Sequence, residues 1–524
     1  MGAKGLLRRD GRRLSPLRTV IALILVSSLG AWGYLSVQDW AGSQQLGNQE
    51  PWFAGYVDAT ATPSFAFEEV DPASARDIVL SFIVADPEEP CTPTWGTAFG
   101  LDEAASELDL DRRLARLSQL GANASISFGG LLNDELATVC TNLPQLIAAY
   151  ETVIDRYDVT TIDLDIEGVN LSNTVAGERR AAAISSLQKQ RRADGKPLAV
   201  WLTLPVLPTG LTQDGTGFVQ QMLDAGVDIA GVNAMTMDYG PSRSKGDSMA
   251  DASISALKAT HRQLGIIYDQ AGIQLSDRTL WRKIGATPMI GQNDVFDDVF
   301  TMDDAEQLNQ FAVETGIGRM SAWSLNRDVQ CGPNYVNLRR VSDACSGIAQ
   351  GDLRFADVLS RGFTGRLSAV AGVQTTPEPQ DLTDLTDDPA SSPYPVWQEE
   401  YAYLARTKVV WHRNVYEAKW WTRGELPDDP VLNEWETPWT LIGPVLNGEK
   451  PVETPTLPSG VYPEWSGMAI YDKGQRIIFD GIPYEAKWWN QGESPEAYAA
   501  DPNSSPWTPI SLAEIEAIIH GLGG

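Results

Sequence analysis

In Thr160-Thr161-Ile162-Asp163-Leu164-Asp165-Ile166-Glu167-Gly168, three acids alternate with apolar residues. Side chains of a strand alternate between its faces, so Asp163, Asp165 and Glu167 share one side and Ile162, Leu164 and Ile166 the other. Three carboxylates so close cannot all ionise cheaply, and at least one pKa is expected to rise. A carboxylic acid kept protonated near neutral pH is what glycoside hydrolysis needs to protonate a leaving oxygen. A polar strand end or a cation site is the plainer reading of the same spacing.

The remaining composition removes competing chemistries. Three histidines, His261, His412 and His520, lie far apart in 524 residues, too few for a His-rich zinc site or a Ser-His-Asp triad. HExxH, GxSxG and P-loop patterns are absent, so no metal, nucleotide or other cofactor is expected. Forty basic against 69 acidic residues give a net charge of −29. The first eighteen residues carry +5 (six basic, one acidic), leaving −34 for residues 19–524. Such a chain repels phosphate backbones, which argues against nucleic acid as a partner. Tryptophans outnumber phenylalanines, 17 to 13, an inversion that suits proteins handling sugar rings.

The elements that must position the acids are short apolar strands at Trp52–Val57, Ile78–Val84, Ala124–Phe128, Thr161–Ile166, Leu198–Leu204, Ile229–Met235, Ile284–Ile290 and Arg319–Leu325. Helical patterns at Ala104–Leu120, Leu143–Tyr157 and Ser253–Ala271 lie between several of them. Alternating β and α predicts an α/β fold with a parallel sheet. Eight strands fit a (β/α)8 TIM barrel, with a doubly wound open sheet as the rival. None of the four cysteines is in a CxxC pair, which argues against zinc. Cys91–Cys140 and Cys331–Cys345 are the most economical disulfides of three possible connectivities.

Ahead of the barrel candidate at 52–365, a basic leader (1–18) precedes an apolar segment (19–38). Its 18-residue uncharged core, Val20 to Val37, would span about 27 Å as a helix. This N-terminal hydrophobic helix reads as a signal peptide or a signal-anchor, which puts the rest of the chain outside the cell, secreted or membrane-tethered. Residues 366–393 and 445–460 read as linkers, the first rich in Thr, Pro and Asp. The second, as a flexible coil, would reach roughly 20–24 Å. Between and after them stand two small all-β units at 394–444 and 461–512, then a tail at 513–524. The units are copies at a fixed offset of 68: Tyr416-Glu417-Ala418-Lys419-Trp420-Trp421 recurs as Tyr484-Glu485-Ala486-Lys487-Trp488-Trp489. Cores of about 50 residues rarely shelter so many tryptophans, so some must lie on the surface.

The acidic strand resembles the DxDxE motif of glycoside hydrolase family 18, the chitinases and their relatives. Ser127-Phe128-Gly129-Gly130 resembles that family's SxGG strand and Met235-Thr236-Met237-Asp238-Tyr239-Gly240 its MxYD strand; Trp323 resembles its last-strand tryptophan. The resemblance covers about residues 52–365 and implies a TIM barrel rather than the open sheet. It also implies substrate-assisted hydrolysis, with Glu167 as acid and base, Asp165 orienting the acetamide, and Asp163 supporting Asp165 through a shared proton. Trp323 would floor the sugar, and Met235, Asp238, Tyr239, Ser127, Gly129 and Gly130 would line the substrate site. Met237 stands where the family has a tyrosine that bonds the acetamide oxygen, and methionine cannot donate. Tyr239, Asn233 or the stretch Gly291–Asp294 is then expected to supply that contact. The duplicated units resemble chitin-binding modules of carbohydrate-binding families 5 and 12. That likeness implies sugar stacking by Tyr416, Trp420, Trp421, Tyr484, Trp488 and Trp489, with one tryptophan of each pair turned inward.

The expectation is an extracellular chitinase, monomeric, acting on chitin or N-acetylglucosamine oligosaccharides. The alternatives are an endo-β-N-acetylglucosaminidase on other polymers of that sugar, and a catalytically weak chitin-binding protein.

Overall fold

The computed structural model describes residues 50–69, 77–333, 341–367, 387–445, 451–452, 455–500 and 502–522. The described residues up to 367 form one compact unit and those from 387 another. The leader at 1–18, the apolar segment at 19–38 and most of the 366–393 linker lie outside the described residues. Among the described residues, no helix is long and apolar enough to cross a membrane.

Eight parallel strands build the first unit: β1 (Trp52–Asp58), β2 (Asp77–Ala85), β3 (Ala124–Gly129), β4 (Thr161–Asp165), β5 (Ala199–Leu207), β6 (Ile229–Met235), β7 (Ile284–Thr287) and β8 (Arg319–Met320). Each pairs with the next, and β1 pairs with both β2 and β8, so the sheet closes into a barrel. Closure rules out the open sheet. Alternate residues of the strands fill the interior: Trp52, Ala54 and Tyr56 of β1 pack with Val79, Ala199, Trp201 and Ala230.

The outer ring includes α1 (Leu101–Glu107), α2 (Leu110–Gln119), α3 (Leu143–Arg156), α4 (Thr174–Ala193), α5 (Gln213–Asp224), α6 (Met249–Gln270) and α7 (Met302–Thr315). The helix expected at Ala104–Leu120 is two helices, because Asp109 takes a left-handed φ of 52° and interrupts the backbone ladder. α6 begins earlier than its apolar pattern, since Ser248 and Asp251 form a reciprocal cap. Disulfides join Cys91 to Cys140 and Cys331 to Cys345, the two pairings expected.

The second unit holds the two copies, each around a three-stranded antiparallel sheet. The first has β9 (Lys408–Trp411), β10 (Asn414–Ala418) and β11 (Trp439–Pro444); the second has β12 (Arg476–Phe479), β13 (Ile482–Ala486) and β14 (Trp507–Pro509). Equivalent bonds recur: Trp439 Nε1 donates to the Glu425 carbonyl and Trp507 Nε1 to the Glu493 carbonyl, each at 2.8 Å. The stretch read as a tail carries a helix, Leu512–Leu522, whose Ile515 is buried in the second copy's core.

The copies pack on each other. Leu404 of the first belongs to the core of the second, with Ala402 and Trp421 packed against it. Trp421 meets Tyr498 edge-on at 6.1 Å, and Arg423 Nη1 lies 3.6 Å from Asp480 and 3.9 Å from Glu496. A cleft of about 210 Å³ lies between Trp421 and Arg423 on one side and Phe479, Ile482 and Tyr484 on the other. Within the spacer, the Val452 N–H donates to the Pro393 carbonyl at 2.8 Å, so this part is tied down rather than a free coil.

Candidate active site

The acids stand at the C-terminal end of β4, the end at which barrel active sites form. Asp163 is fully buried and Asp165 4% exposed; Glu167 follows the strand, half-buried, at the entry to a short helix, Gly168–Ser172. Ile162, Leu164 and Ile166 are buried on the opposite side. The alternation therefore does what the spacing requires.

The glycine pair holds Asp165 in place. Gly129 has φ 109°, and a Cβ there would sit 2.1 Å from the Asp165 carbonyl oxygen. The Gly130 N–H donates to that same oxygen at 2.8 Å. Glycine is required for this close approach of β3 to β4. Ser127 is likewise fully buried, and its hydroxyl donates to Asp163 Oδ2 at 2.8 Å. Ser127 and Gly129, expected among the substrate contacts, are thus placed behind the acids as their support.

Asp163 is surrounded by donors. Oδ2 also accepts from the Tyr56 hydroxyl at 2.9 Å; Oδ1 accepts from Thr203 Oγ1 at 2.7 Å and from Arg319 Nη1 at 2.6 Å. Asp165 hydrogen-bonds Glu167 instead, and its Oδ1 has no partner. The hydrogen bond of Asp165 thus runs to Glu167, while Asp163 acts on it through its charge. Burial foremost, then the charges of Glu167 and Asp163, pushes the Asp165 carboxyl well up. Burial also raises Glu167, to about 7, against the opposing bond from Asp165 and with help from the charges of Asp238 and Asp294. A carboxyl that titrates near neutrality at the mouth of a barrel is equipped for proton transfer.

Trp323 forms the adjoining wall. It stacks on Phe82 at 5.4 Å and meets Tyr56 edge-on at 5.9 Å. Met235 ends β6, half-buried. Asp238 holds a left-handed φ of 53°; its Oδ1 accepts the Val295 N–H at 2.8 Å, and burial raises its pKa. Tyr239 is buried, and its hydroxyl faces Ser253 on α6 at 3.4 Å, away from the acids. Asn233 spends its amide hydrogens on Tyr56 and Thr203, at 3.2 and 3.1 Å, and Asn293 spends its own on the Met289 and Gly291 carbonyls. None of these three has a donor left for an acetamide oxygen.

Four residues of this cluster escaped the sequence reading as participants: Tyr56, Phe82, Thr203 and Arg319. Their signal was present only as polar or aromatic positions inside apolar strands, at 107, 40 and 156 residues' separation from Asp163 for Tyr56, Thr203 and Arg319.

No family model matches the chain. It is 33% identical over 310 residues to a probable bifunctional chitinase/lysozyme of Escherichia coli, covering 56% of this chain and 34% of that protein. It is 31% identical over 304 residues to Endochitinase 11 of Metarhizium anisopliae, covering 56% of each. The chain thus spans about a third and about half the length of these curated relatives. Active domain 2 of a thermostable chitinase from Pyrococcus furiosus, solved with chito-oligosaccharides, matches with a TM-score of 0.51 and 30% identity. That match covers 61% of this chain and 97% of that domain. The catalytic domain of a hyperthermophilic chitinase from Pyrococcus furiosus matches with the same TM-score and 29% identity, over 62% of this chain and all of that domain. Identity across nearly the whole of a solved domain, together with the four motifs in order at the ends of β3, β4, β6 and β8, settles the family: the chain is a glycosidase and belongs to the chitinases of glycoside hydrolase family 18.

Proposed function

We propose that the chain is an exported chitinase that cleaves β-1,4 links between N-acetylglucosamine units with retention of configuration. The observation that carries this reading is Glu167: half-buried just past the C-terminal end of β4, bonded to Asp165 and raised by burial to about 7. In its protonated form Glu167 gives its proton to the glycosidic oxygen as that oxygen leaves C1. The acetamide oxygen of the same sugar attacks C1 and forms an oxazolinium-type ring. Asp165 accepts the acetamide N–H and balances the charge. Glu167, now a carboxylate, takes a proton from water as the water opens the ring at C1 and restores the acid. Trp323 supplies an apolar floor for the sugar ring and methyl group.

In this reading the basic leader and apolar segment direct export, with the apolar segment either removed or kept as a tether. The two copies at 394–444 and 461–512 bind insoluble chitin through surface tryptophans. Trp420 and Trp488 are each 42% exposed and Trp489 59%. Lys419 and Lys487 lie over Trp420 and Trp488, at 5.7 and 5.0 Å from the ring centres. Tyr416 and Tyr484 are buried in the two cores and cannot stack on sugar. Trp421 is half-buried against the second copy, and neither tryptophan of the second pair is buried, so the expected one-in, one-out rule gives way to different surroundings for each copy.

Glu167→Gln keeps size and hydrogen bonding but removes the transferable proton. Its kcat on chito-oligosaccharides is expected to fall about 10³-fold or more, with adsorption to insoluble chitin unchanged. More than about a tenth of wild-type activity would remove Glu167 from the role.

A further inference from the structure

We propose that Arg319 is a positioning residue of the reaction: it fixes Asp163 as a carboxylate with every acceptor position occupied, and so confines the mobile proton to Asp165 and Glu167. The proposal rests on the reading of these acids as the glycosidase machinery and names the residue that sets where their proton resides.

A carboxylate offers about four acceptor positions. Those of Asp163 are filled, two on each oxygen, by Tyr56, Ser127, Thr203 and Arg319. A proton placed on Asp163 would have to displace one of these donors and break the charge-assisted bond to Arg319. Arg319 is itself locked. It is 1% exposed; Nε donates to Ser321 Oγ at 2.8 Å and Nη2 to the Tyr56 hydroxyl at 3.0 Å. Its guanidinium lies 5.2, 5.5 and 5.4 Å from the ring centres of Trp52, Tyr56 and Trp201. Aromatic faces on three sides favour a cation and keep water away from the pair.

The groups facing this pair come from several strands: Tyr56 from β1, Ser127 from β3, Asp165 from β4, Thr203 and Trp201 from β5 and Asn233 from β6, with Ser321 just after β8. Of these, Asp165 and Tyr56 titrate; Glu167 is hydrogen-bonded to Asp165, and Asp238 and Asp294 act on Glu167 through their charges. Burial holds the Tyr56 phenol far above its ordinary range, so it stays a neutral donor. Arg319 draws the Asp165 carboxyl down and partly offsets Asp163, which pushes it up more strongly. Removing the cation alone leaves the Asp163 charge uncompensated beneath Asp165.

The test is the pH dependence of kcat and kcat/KM on a soluble chito-oligosaccharide for the full chain and for Arg319→Met, Arg319→Lys and the double variant Asp163→Asn/Arg319→Met. Loss of the cation should move both limbs of the Arg319→Met profile up by about one pH unit and lower kcat more than it changes KM. Arg319→Lys keeps the charge and should leave the limbs in place. The double variant removes both charges, which a buried pair tolerates far better than loss of one partner, and should return the limbs toward wild-type positions. A structural role alone would lower melting temperature and activity without moving the limbs. Unmoved limbs in a folded Arg319→Met protein would overturn the proposal. So would an Arg319→Lys shift as large, and if Arg319→Met fails to fold, the lysine and double variants decide alone. If the wild type cleaves no oligosaccharide, the reaction reading falls separately. The infrared band of the protonated carboxyl, identified by its loss in Glu167→Gln, then reads the same shift without turnover.

Discussion

At the scale of single residues, the proposed role of Glu167 ties activity and stability to pH in the same direction: both fall as the pH rises through about 7. It must be protonated to act as acid, so the alkaline limb of kcat/KM is expected near pH 7, where its raised pKa lies. Its folded pKa lies above the ordinary 4.5, so the folded state holds the proton more tightly than the unfolded chain. Its contribution to stability is therefore present below the ordinary carboxyl range and lost as pH rises through about 7. Glutamine does not titrate and escapes that loss. Glu167→Gln should match wild-type stability at pH 4 and exceed it by about 3 kcal/mol at pH 8, measured by chemical unfolding. Equal stability at both pH values would show that Glu167 is not raised. The acids were legible because period two and carboxyl chemistry are both local. The donors to Asp163 were not, since the barrel brings them from strands far apart in sequence.

At the scale of elements, all eight strands were legible, because parallel strands buried on both faces are continuous apolar runs, but β7 and β8 end earlier than their runs, at Thr287 and Met320. The break between α1 and α2 was hidden, because a left-handed Asp109 leaves no mark in an apolar pattern. The duplication was legible from the 68-residue offset, but its packing was not: Trp421 and Trp489 have the same sequence neighbours and different spatial ones. Their substitutions should part accordingly. Trp489→Ala removes an exposed ring, so adsorption to insoluble chitin should weaken about tenfold or more, roughly 1.4 kcal/mol, with thermal unfolding unchanged. Trp421→Ala opens the contact between copies and should destabilise the second unit by about 2 kcal/mol, less than a fully buried tryptophan costs. The same adsorption loss from Trp421→Ala without any change in unfolding would make Trp421 a sugar platform and the contact incidental.

At the scale of the whole molecule, the proposed reading has two units divide the work by the physical state of the substrate. In it the barrel presents the hydrogen-bonded carboxyls Asp165 and Glu167 to one sugar link, and the copies offer exposed rings to a polymer surface. A chain carrying −34 after its leader suits a neutral, N-acetylated polymer and disfavours anionic ones. Composition excluded whole chemistries, and the order of motifs gave the barrel. What stayed beyond sequence was the protonation pattern, which depends on which carboxylate meets Arg319 in the barrel core. The most direct test of the account is the configuration of the first product. Fresh hydrolysis of a soluble chito-oligosaccharide, followed by proton NMR before mutarotation, should show the β-anomer at the new reducing end, because water opens the ring from the face the leaving group vacated. The α-anomer as first product would mean direct attack by water on the opposite face, and would contradict the substrate-assisted mechanism.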